Sequence, residues 1–430
     1  MNPRQTSRFA FLLGGLLLAA ASLTGCGSPV LTPTPKISPP LSVPPSVTIA
    51  QPTPTLRVLP TLPTSGTFTY LIKDIPARQF DPNLPAPGYA IAQLHEGRVL
   101  IAGGVDADNL ALATAQLYSP DAPKNPLGAA GVNTGRLNVA RTDFSLTTLS
   151  GGLVLAAGGA KSTNGEPLAS AEIYNADLRA FASTGSMKFA RENPLALALS
   201  DGRAIILGGD QGCRQNGCKI LTSAEIYDPA TGFFKLLTNK LTARLNQTAT
   251  LLVNGQILIA GGEDAQGNPL SSAELLDPAS GKVSPTGSLT TPFDSAAAVL
   301  LSDGQVLVAG GFSATDTSSG GDVAELYNPA TGKFTLTGSM LAPTAVTVAL
   351  LLPNGQVLLA GSPLDNNGSI NDSNPAELYD PATGTFRITG DLPAGFTPNL
   401  GCLLTNGTVF IYGHDYNGND NFDGIEIYNP

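Results

Sequence analysis

Short apolar runs alternate with polar turns through the second half of the chain. Ala296–Leu301 is a short apolar run that fits a strand buried on both faces, and the dipeptide Asp303-Gly304 that follows is a hairpin signal. Gln305–Ala309 predicts the returning strand, which ends at Gly310-Gly311, where close packing or a positive φ favours glycine. The pattern therefore predicts antiparallel hairpins.

Two more strands complete the unit. Ala324–Tyr327 predicts a third strand, and Asn328–Gly332 predicts a turn because proline stands early in it and glycine late. Lys333–Leu336 begins a fourth, outer strand. One unit is thus a sheet of four antiparallel strands.

The unit recurs along the chain. Asp303–Gly311 reappears in close form as Asp201–Gly209 and Asn254–Gly262. The glycines that end the second strand stand at positions 103, 158, 208, 261, 310, 361 and 413, with a mean spacing of about 52 residues. A period near 50 residues with four strands per repeat resembles the kelch-repeat β-propeller.

That resemblance covers about residues 65–430 and implies an all-β fold of seven four-stranded antiparallel blades. The family often has tryptophan after the third-strand tyrosine, whereas this chain has Phe234, Phe334 and Phe386. The last repeat stops at Pro430 before its outer strand, and Ser65–Phe68 resembles Thr383–Phe386 of the sixth repeat. We therefore expect the N-terminal strand to complete the last blade and close the ring.

Residues 1–25 have the pattern of an export signal. Arg4 and Arg8 precede the apolar stretch Phe9–Ser22, which is too short for a permanent membrane span. Leu23–Cys26 resembles the lipobox of bacterial lipoproteins, which implies lipid on Cys26 and a membrane-anchored protein facing the periplasm or the cell surface. The alternative is an ordinary secretory signal with a chance cysteine.

Residues 26–64 predict a tether. Between Ser28 and Thr64 the chain has 11 prolines and 11 serines or threonines. Proline lacks the N–H that a sheet needs and favours extended backbone, so this segment cannot build a core. We expect a spacer between the membrane and residues 65–430, although a proline-rich docking ligand is the alternative.

Charge excludes one class of partner. The formal net charge is −10, and the first 65 residues carry four basic residues and no acidic one. The repeat region is therefore strongly acidic, which disfavours nucleic acid because phosphate contacts need a basic surface.

Candidate catalytic chemistry is sparse. The oxidases that resemble galactose oxidase hold copper with two tyrosines, two histidines and a cysteine, whereas this chain has two histidines in all, His95 and His414, at unsuitable positions. The sequence also lacks a Gly-x-Ser-x-Gly elbow, a Cys-x-x-Cys pair and a phosphate-binding loop. We assign no catalytic residue and no obligatory cofactor.

One glutamate recurs at the same position of nearly every repeat. This recurrence favours a structural hydrogen bond shared by the blades over a catalytic role. Its members are Glu172, Glu225, Glu274, Glu325, Glu377 and Glu426.

The cysteines other than Cys26 suggest one cross-link. Cys213 and Cys218 are separated by four residues in the loop between the second and third strands of blade 3. In an exported protein this spacing predicts a local disulfide, with metal binding as the weaker alternative. Cys402 precedes two leucines and predicts a small buried residue.

One polar loop has the spacing of a calcium site. Asp415, Asn417, Asn419 and Asp423 stand at positions 1, 3, 5 and 9, which resembles the calcium loops of integrin-type propellers. Position 6, normally glycine, is Asp420. The alternative is an Asn-rich connection without an ion.

The linkers between blades suggest a ligand surface. Arginine recurs there as Arg141, Arg191 and Arg244, and the later linkers have Phe293 and Phe396. If these side chains surround the mouth of the central pore, the mouth is cationic on one side and apolar on the other. This arrangement predicts an anionic or amphiphilic ligand. In the alternative interpretation these arginines pack locally and bond nearby carbonyl groups.

Together these features predict an extracytoplasmic binding or scaffolding module that presents a propeller face to a protein or an extracellular polymer. The alternative is an enzyme acting on carbohydrate or another small molecule at the pore mouth. Fold alone does not decide between them.

Overall fold

The computed structural model describes residues 66–72, 88–106, 108–119, 131–163, 165–214, 217–311, 320–363, 374–415 and 422–430. These residues form seven four-stranded antiparallel sheets, one two-stranded ribbon and a single 3-10 turn at Gly320–Asp322. The all-β prediction is confirmed. The predicted export signal and the whole predicted tether, including Cys26, lie outside the described residues.

The sheets are the blades of a ring, and each follows the predicted strand order. After β1 (Thr67–Ile72), blade 1 comprises β2 (Tyr89–Gln93), β3 (Val99–Gly103), β4 (Ala115–Tyr118) and β5 (Gly131–Asn133). Blade 2 comprises β6 (Ser145–Thr148), β7 (Leu153–Ala157), β8 (Ala171–Asn175) and β9 (Ala180–Ser183). Blade 3 comprises β10 (Leu195–Ala198), β11 (Ala204–Leu207), β14 (Ala224–Asp228) and β15 (Phe233–Leu236), with the ribbon β12 (Asp210–Arg214) and β13 (Gly217–Ile220) between its second and third strands.

The remaining blades repeat the pattern. Blade 4 comprises β16 (Thr248–Leu251), β17 (Ile257–Ala260), β18 (Ala273–Leu276) and β19 (Val283–Pro285). Blade 5 comprises β20 (Ala297–Leu300), β21 (Val306–Ala309), β22 (Ala324–Asn328) and β23 (Lys333–Leu336). Blade 6 comprises β24 (Thr344–Leu351), β25 (Val357–Pro363), β26 (Asn374–Asp380) and β27 (Thr385–Leu392). Blade 7 contains β28 (Phe396–Leu403), β29 (Val409–Asp415) and β30 (Phe422–Asn429).

The N-terminal strand closes the ring, as the sequence predicts. β1 pairs antiparallel with β30 as the outer strand of blade 7, and its register sets Thr67 opposite Asn429 and Phe68 opposite Tyr428. A Cβ on Gly66 would meet the ring of Tyr428, so this position requires glycine. The closure is non-covalent and covers an edge that would otherwise be exposed.

The core is divided among the interfaces between blades. The described residues contain seven hydrophobic clusters, and each joins two neighbouring blades. One of them joins blade 7 to blade 1 through Phe410 and Tyr412 on one side and Tyr89 and Tyr118 on the other. Second-strand residues such as Leu155 and Ile206 are fully buried, because each blade packs against both neighbours.

The two faces of the ring differ in their connections. The turns between first and second strands have four or five residues in every blade, and they lie on what we call the turn face. On the opposite side, the loop face, the connections between second and third strands vary from 6 to 16 residues. The linkers between blades lie on the loop face too, as the bridge between Thr142 and Ala160 shows.

Candidate functional site

The linker arginine of blade 2 is bound inside the protein. The guanidinium Nη1 of Arg141 donates to the carbonyl oxygens of Gly158, at 2.7 Å, and of Ser170, at 3.1 Å. Its Nη2 donates to Oε1 of Glu172 at 2.9 Å, and both side chains are almost fully inaccessible to solvent. The arginine thus fixes the linker to the second and third strands of its blade.

This pair changes the protonation behaviour of both residues. Burial lowers the pKa of Arg141, although the Glu172 carboxylate opposes that effect. Burial alone would favour the neutral acid at Glu172, but hydrogen bonds from the Asn138 N–H, from Arg141 and from the Val139 N–H outweigh it. The net pKa of Glu172 therefore lies below its ordinary value, and the pair is ionic.

Blade 3 repeats this arrangement, and blade 4 repeats part of it. Arg191 donates to the carbonyl oxygen of Gly208 at 2.8 Å and to Oε1 of Glu225 at 2.8 Å. Arg244 donates to the carbonyl oxygens of Gly261 and Ser272, at 2.7 and 2.8 Å. The local bonds that the alternative interpretation anticipates are therefore present in all three linkers.

The five side chains predicted to contact a ligand are all buried. Arg141, Arg191, Phe293 and Phe396 are 0% exposed, and Arg244 is 2% exposed. The two phenylalanines belong to hydrophobic clusters between blades. These five side chains therefore do not form the expected mouth, part cationic and part apolar, because the fold directs them into the interior.

The recurring glutamate makes the predicted structural bond. Its carboxylate accepts backbone N–H groups from the incoming linker, for example from Thr290 and Thr291 to Glu325 and from Leu341 and Ala342 to Glu377. Glu325 and Glu377, whose linkers have no arginine, are held by these N–H donors alone. Burial raises the pKa of Glu377, and its two N–H bonds only partly oppose that rise.

A different set of linker residues surrounds the channel mouth on the loop face. Gly88, Asp143, Asn193, Asn246 and Ser295 occupy equivalent positions just before the first strand of blades 1 to 5, and all have φ between 50° and 60°. This left-handed conformation is least costly for Gly, Asn and Asp. The Asp143 N–H donates to the Gly88 carbonyl at 2.7 Å and the Asn193 N–H to the Asp143 carbonyl at 2.9 Å, which joins three blades at the mouth.

Four of these residues, all but Ser295, line a cavity of about 540 Å³. Its walls come from blades 1 to 4, 6 and 7, so it lies at the centre of the loop face. Apolar contributions include Tyr89, Phe144, Leu195 and Leu400. The polar side chains in its wall are Asp143, Asn193, Asp210, Asn246, Gln247, Thr347 and Asn399.

The cavity is acidic. Asp143 and Asp210 are the only charged residues among the described ones that line it. Burial raises the pKa of Asp143, the Thr142 hydroxyl opposes that rise, and the negative charge of Asp210 adds to it. Asp210 is 2% exposed and accepts the Gly212 N–H at 2.8 Å and the Asn193 amide at 3.4 Å.

The sequence contained a signal for this mouth that motif reasoning missed. An Asp, Asn or Ser stands two residues after Arg141, Arg191, Arg244 and Phe293. A small polar residue that recurs at one linker position is typical of a left-handed backbone. The prediction of a ligand surface was based on the neighbouring arginines instead.

The other predicted sites are described only in part. The ribbon register sets the backbone of Cys213 opposite Cys218, and a disulfide between them stays a prediction. Asn417 and Asn419 lie outside the described residues, whereas Asp415 and Asp423 belong to the facing ends of β29 and β30. Burial raises the pKa of the free thiol of Cys402 to about 12.

Two features are absent from the described residues. These residues contain no group of three or more His, Cys, Asp or Glu placed to hold a metal ion. None of their helices is long and apolar enough to cross a membrane. The two histidines lie apart, since His95 is in a first turn of the turn face and His414 ends a second strand at the loop face.

Comparison with known proteins agrees with the fold. A family model described as the kelch motif matches residues 244–290. No curated protein matches the sequence. Among solved structures, a fungal alcohol oxidase of the AA5 family in complex with copper has a TM-score of 0.61 at 15% identity, over 86% of this chain and 77% of that one.

A second solved structure, that of YjhT, has a TM-score of 0.51 at 13% identity and covers 73% of this chain and 99% of its own. At these identities the likeness concerns the fold alone. The seven blades and their non-covalent closure establish that this chain is a seven-bladed β-propeller, and the family model identifies a kelch motif within it at residues 244–290.

Proposed function

We propose that the chain is a binding module on the outer side of a membrane, anchored through lipid on Cys26, which presents its loop face to a protein or an extracellular polymer. Kelch propellers commonly bind proteins, which supports a protein partner. The anchor rests on the lipobox-like Leu23–Cys26, and the tether of residues 26–64 would hold the propeller away from the lipid surface.

The observation that carries this proposal is the contrast between the two faces. The turn face is built from short first turns of four or five residues, so it offers little that differs from blade to blade. The loop face bears the connections of 6 to 16 residues, and variable loops on a rigid scaffold are where binding residues concentrate.

Neighbouring loops are also joined to one another. The Ala111 N–H of blade 1 donates to the Lys161 carbonyl of blade 2 at 3.1 Å, and the Thr163 N–H donates back to the Asn109 carbonyl at 3.0 Å. The loops of these blades therefore form one continuous surface, which suits a macromolecular partner better than separate fingers would.

A matched pair of exposed apolar residues tests the proposal. Leu110 on the loop face is 55% exposed, and Val253 on the turn face is 81% exposed. The full chain, immobilised through its N-terminal segment, is incubated with an extracytoplasmic extract of the producing cells. We expect Leu110→Glu to reduce capture of partners at least about tenfold and Val253→Glu to leave it unchanged, because buried charge at an interface costs several kcal/mol.

Equal capture by the two variants, or no capture above the bare matrix, would count against a loop-face binding module.

A second function has one observation in its favour. Asp143 and Asp210 share the channel mouth, and paired carboxylates also serve acid–base catalysis on small molecules. Turnover of a small molecule that Asp143→Asn abolishes would favour this enzyme alternative.

A further inference from the structure

The channel mouth has the size of a small-molecule site. Its volume of about 540 Å³ falls within the range of cavities that enclose such ligands. The wall is fixed by backbone, since the left-handed residues Gly88, Asp143 and Asn193 are hydrogen-bonded in sequence across three blades. A rigid site of this kind binds without a large ordering cost.

The charge of the wall favours a cationic ligand. The described wall includes two carboxylates and no lysine, arginine or histidine. The nearby arginines cannot neutralise it, because Arg141 and Arg191 are buried in ion pairs with Glu172 and Glu225. A concave site with one sign of charge and apolar walls concentrates counter-ions of the opposite sign.

The hydrogen-bonding capacity of the wall indicates which kind of cation it would bind. A carboxylate offers about four acceptor positions, and only one bond from Thr142 is seen at Asp143. An ammonium group brings three donors and no acceptor, which complements this excess of acceptor oxygens. The wall includes four carboxamides, those of Asn193, Asn246, Gln247 and Asn399, which can bond the remainder of a polar ligand.

We propose that the channel mouth binds a primary ammonium group between Asp143 and Asp210. This inference rests on the proposed binding function and specifies the ligand chemistry at the centre of the loop face. A metal ion fits less well, because no described group of three or more ligating residues is present and the cavity is far larger than an ion. The ammonium belongs either to a lysine side chain of a protein partner or to a free amine.

The experiment titrates the full chain with matched probes by calorimetry. 1,4-diaminobutane represents a free amine and 1,4-butanediol is its neutral counterpart. Nα-acetyl-lysine amide represents a lysine side chain, and Nα-acetyl-norleucine amide lacks its ammonium. We expect at least one amine to bind at least tenfold more tightly than its neutral counterpart, and the tighter of the two amines identifies the source.

Two variants that each remove one negative charge distinguish direct contact between the amine and Asp143 from long-range electrostatic attraction. Asp143→Asn keeps the backbone, because asparagine occupies the equivalent left-handed position as Asn193 and Asn246. Asp264→Asn removes a charge from the same face outside the cavity. We expect Asp143→Asn to weaken amine binding at least tenfold and Asp264→Asn to change it less than twofold.

Three results would overturn the ammonium site: equal binding of amines and neutral counterparts, equal effects of the two variants, or no amine binding at millimolar concentration. Loop-face capture that depends on Leu110 but not on Asp143 would rule out a partner's lysine as the source of the ammonium while leaving the binding module intact. If amines bind but capture of partners does not depend on Leu110, the ammonium site stands and the proposed macromolecular function is contradicted.

Discussion

The ring of Phe68 in the first strand lies with its centroid 5.0 Å from that of Tyr428 in the last strand. The same tilted tyrosine–phenylalanine pair occurs within other blades, at 4.8 Å for Tyr327 and Phe334 and for Tyr379 and Phe386. The Tyr428 hydroxyl also bonds Thr389 of blade 6 at 2.7 Å. Blade 7 is therefore a complete blade, although its outer strand comes from the opposite end of the chain.

Removal of this outer strand should open the ring. Deletion of residues 66–72 exposes β30 and removes Phe68 from Tyr428, so we expect the melting temperature to fall by at least ~5 °C. Phe386→Ala removes the equivalent ring from a covalently continuous blade and should lower the melting temperature by less than the deletion does. Calorimetry of the three proteins checks this, and a deletion variant that melts within a degree or two of the intact chain would place the closure elsewhere.

Two buried glutamates should respond differently to the same substitution. Glu172→Gln leaves Arg141 buried without its counter-charge, and we expect a loss of about 3–5 kcal/mol in the free energy of unfolding. Glu377 bonds backbone N–H groups and has no arginine, so Glu377→Gln should cost only about 1–2 kcal/mol. Urea unfolding measures both, and equal losses would show that the ion pair adds nothing to the shared N–H bonds.

The same glutamates should affect acid stability in opposite directions. The pKa of Glu172 is lowered by folding, so its stabilisation is present above the unfolded pKa and is lost as pH falls through the folded pKa. The pKa of Glu377 is raised, so keeping this carboxyl ionised at neutral pH costs folding free energy, and that cost disappears on acidification.

Between pH 7 and pH 3, Glu172→Gln should therefore lose less stability than the unmodified chain, and Glu377→Gln should lose more. Melting temperatures measured across this range check the prediction. Parallel curves for all three proteins would contradict the opposite pKa directions.

Lipid attachment should depend on a single cysteine. Cys26→Ser removes the thiol that the lipobox-like sequence implies is acylated, so the variant should move from the membrane fraction to the soluble extracytoplasmic fraction. The control is Cys402→Ser, which changes a thiol in the propeller. Membrane retention of Cys26→Ser would rule out this anchor.

Calcium should bind and stabilise the predicted loop. Two carboxylates and two amides at Asp415, Asn417, Asn419 and Asp423 would give an affinity on the order of 10⁻⁴–10⁻³ M. At 10 mM calcium the fold should gain roughly 1.4 kcal/mol for the weaker limit, and Asp415→Ala should abolish that gain. Identical melting in calcium and in chelator would leave this segment as an Asn-rich connection.

The architecture was predictable because its signals are local. Asp303-Gly304 and Gly310-Gly311 mark where strands turn and end, and a period of about 50 residues repeats those marks through the chain. The likeness of Ser65–Phe68 to Thr383–Phe386 was enough to predict the closure, since Thr67–Phe68 and Thr385–Phe386 occupy the same position in a blade.

The environment of the linkers was not predictable in the same way. The sequence places Arg141 on the loop face, but the side of the backbone on which its guanidinium lies depends on the carbonyl oxygens of Gly158 and Ser170, which the fold brings there. The left-handed residue two positions later points to the mouth instead. Recurring arginine was therefore a sign of blade construction, and recurring Asp or Asn was the sign of the cavity.

The strand that closes the ring is also the strand that joins the propeller to the preceding residues. Tension on the segment before Gly66 would reach β1 first, and its bonds to β30 would resist that tension without any covalent link. If this pair opened, the load would pass along residues 73–87 to β2, the inner strand of blade 1. The resistance of the propeller to a pull on its N-terminal end is therefore set first by one strand pair, whatever the thermodynamic stability of the other six blades.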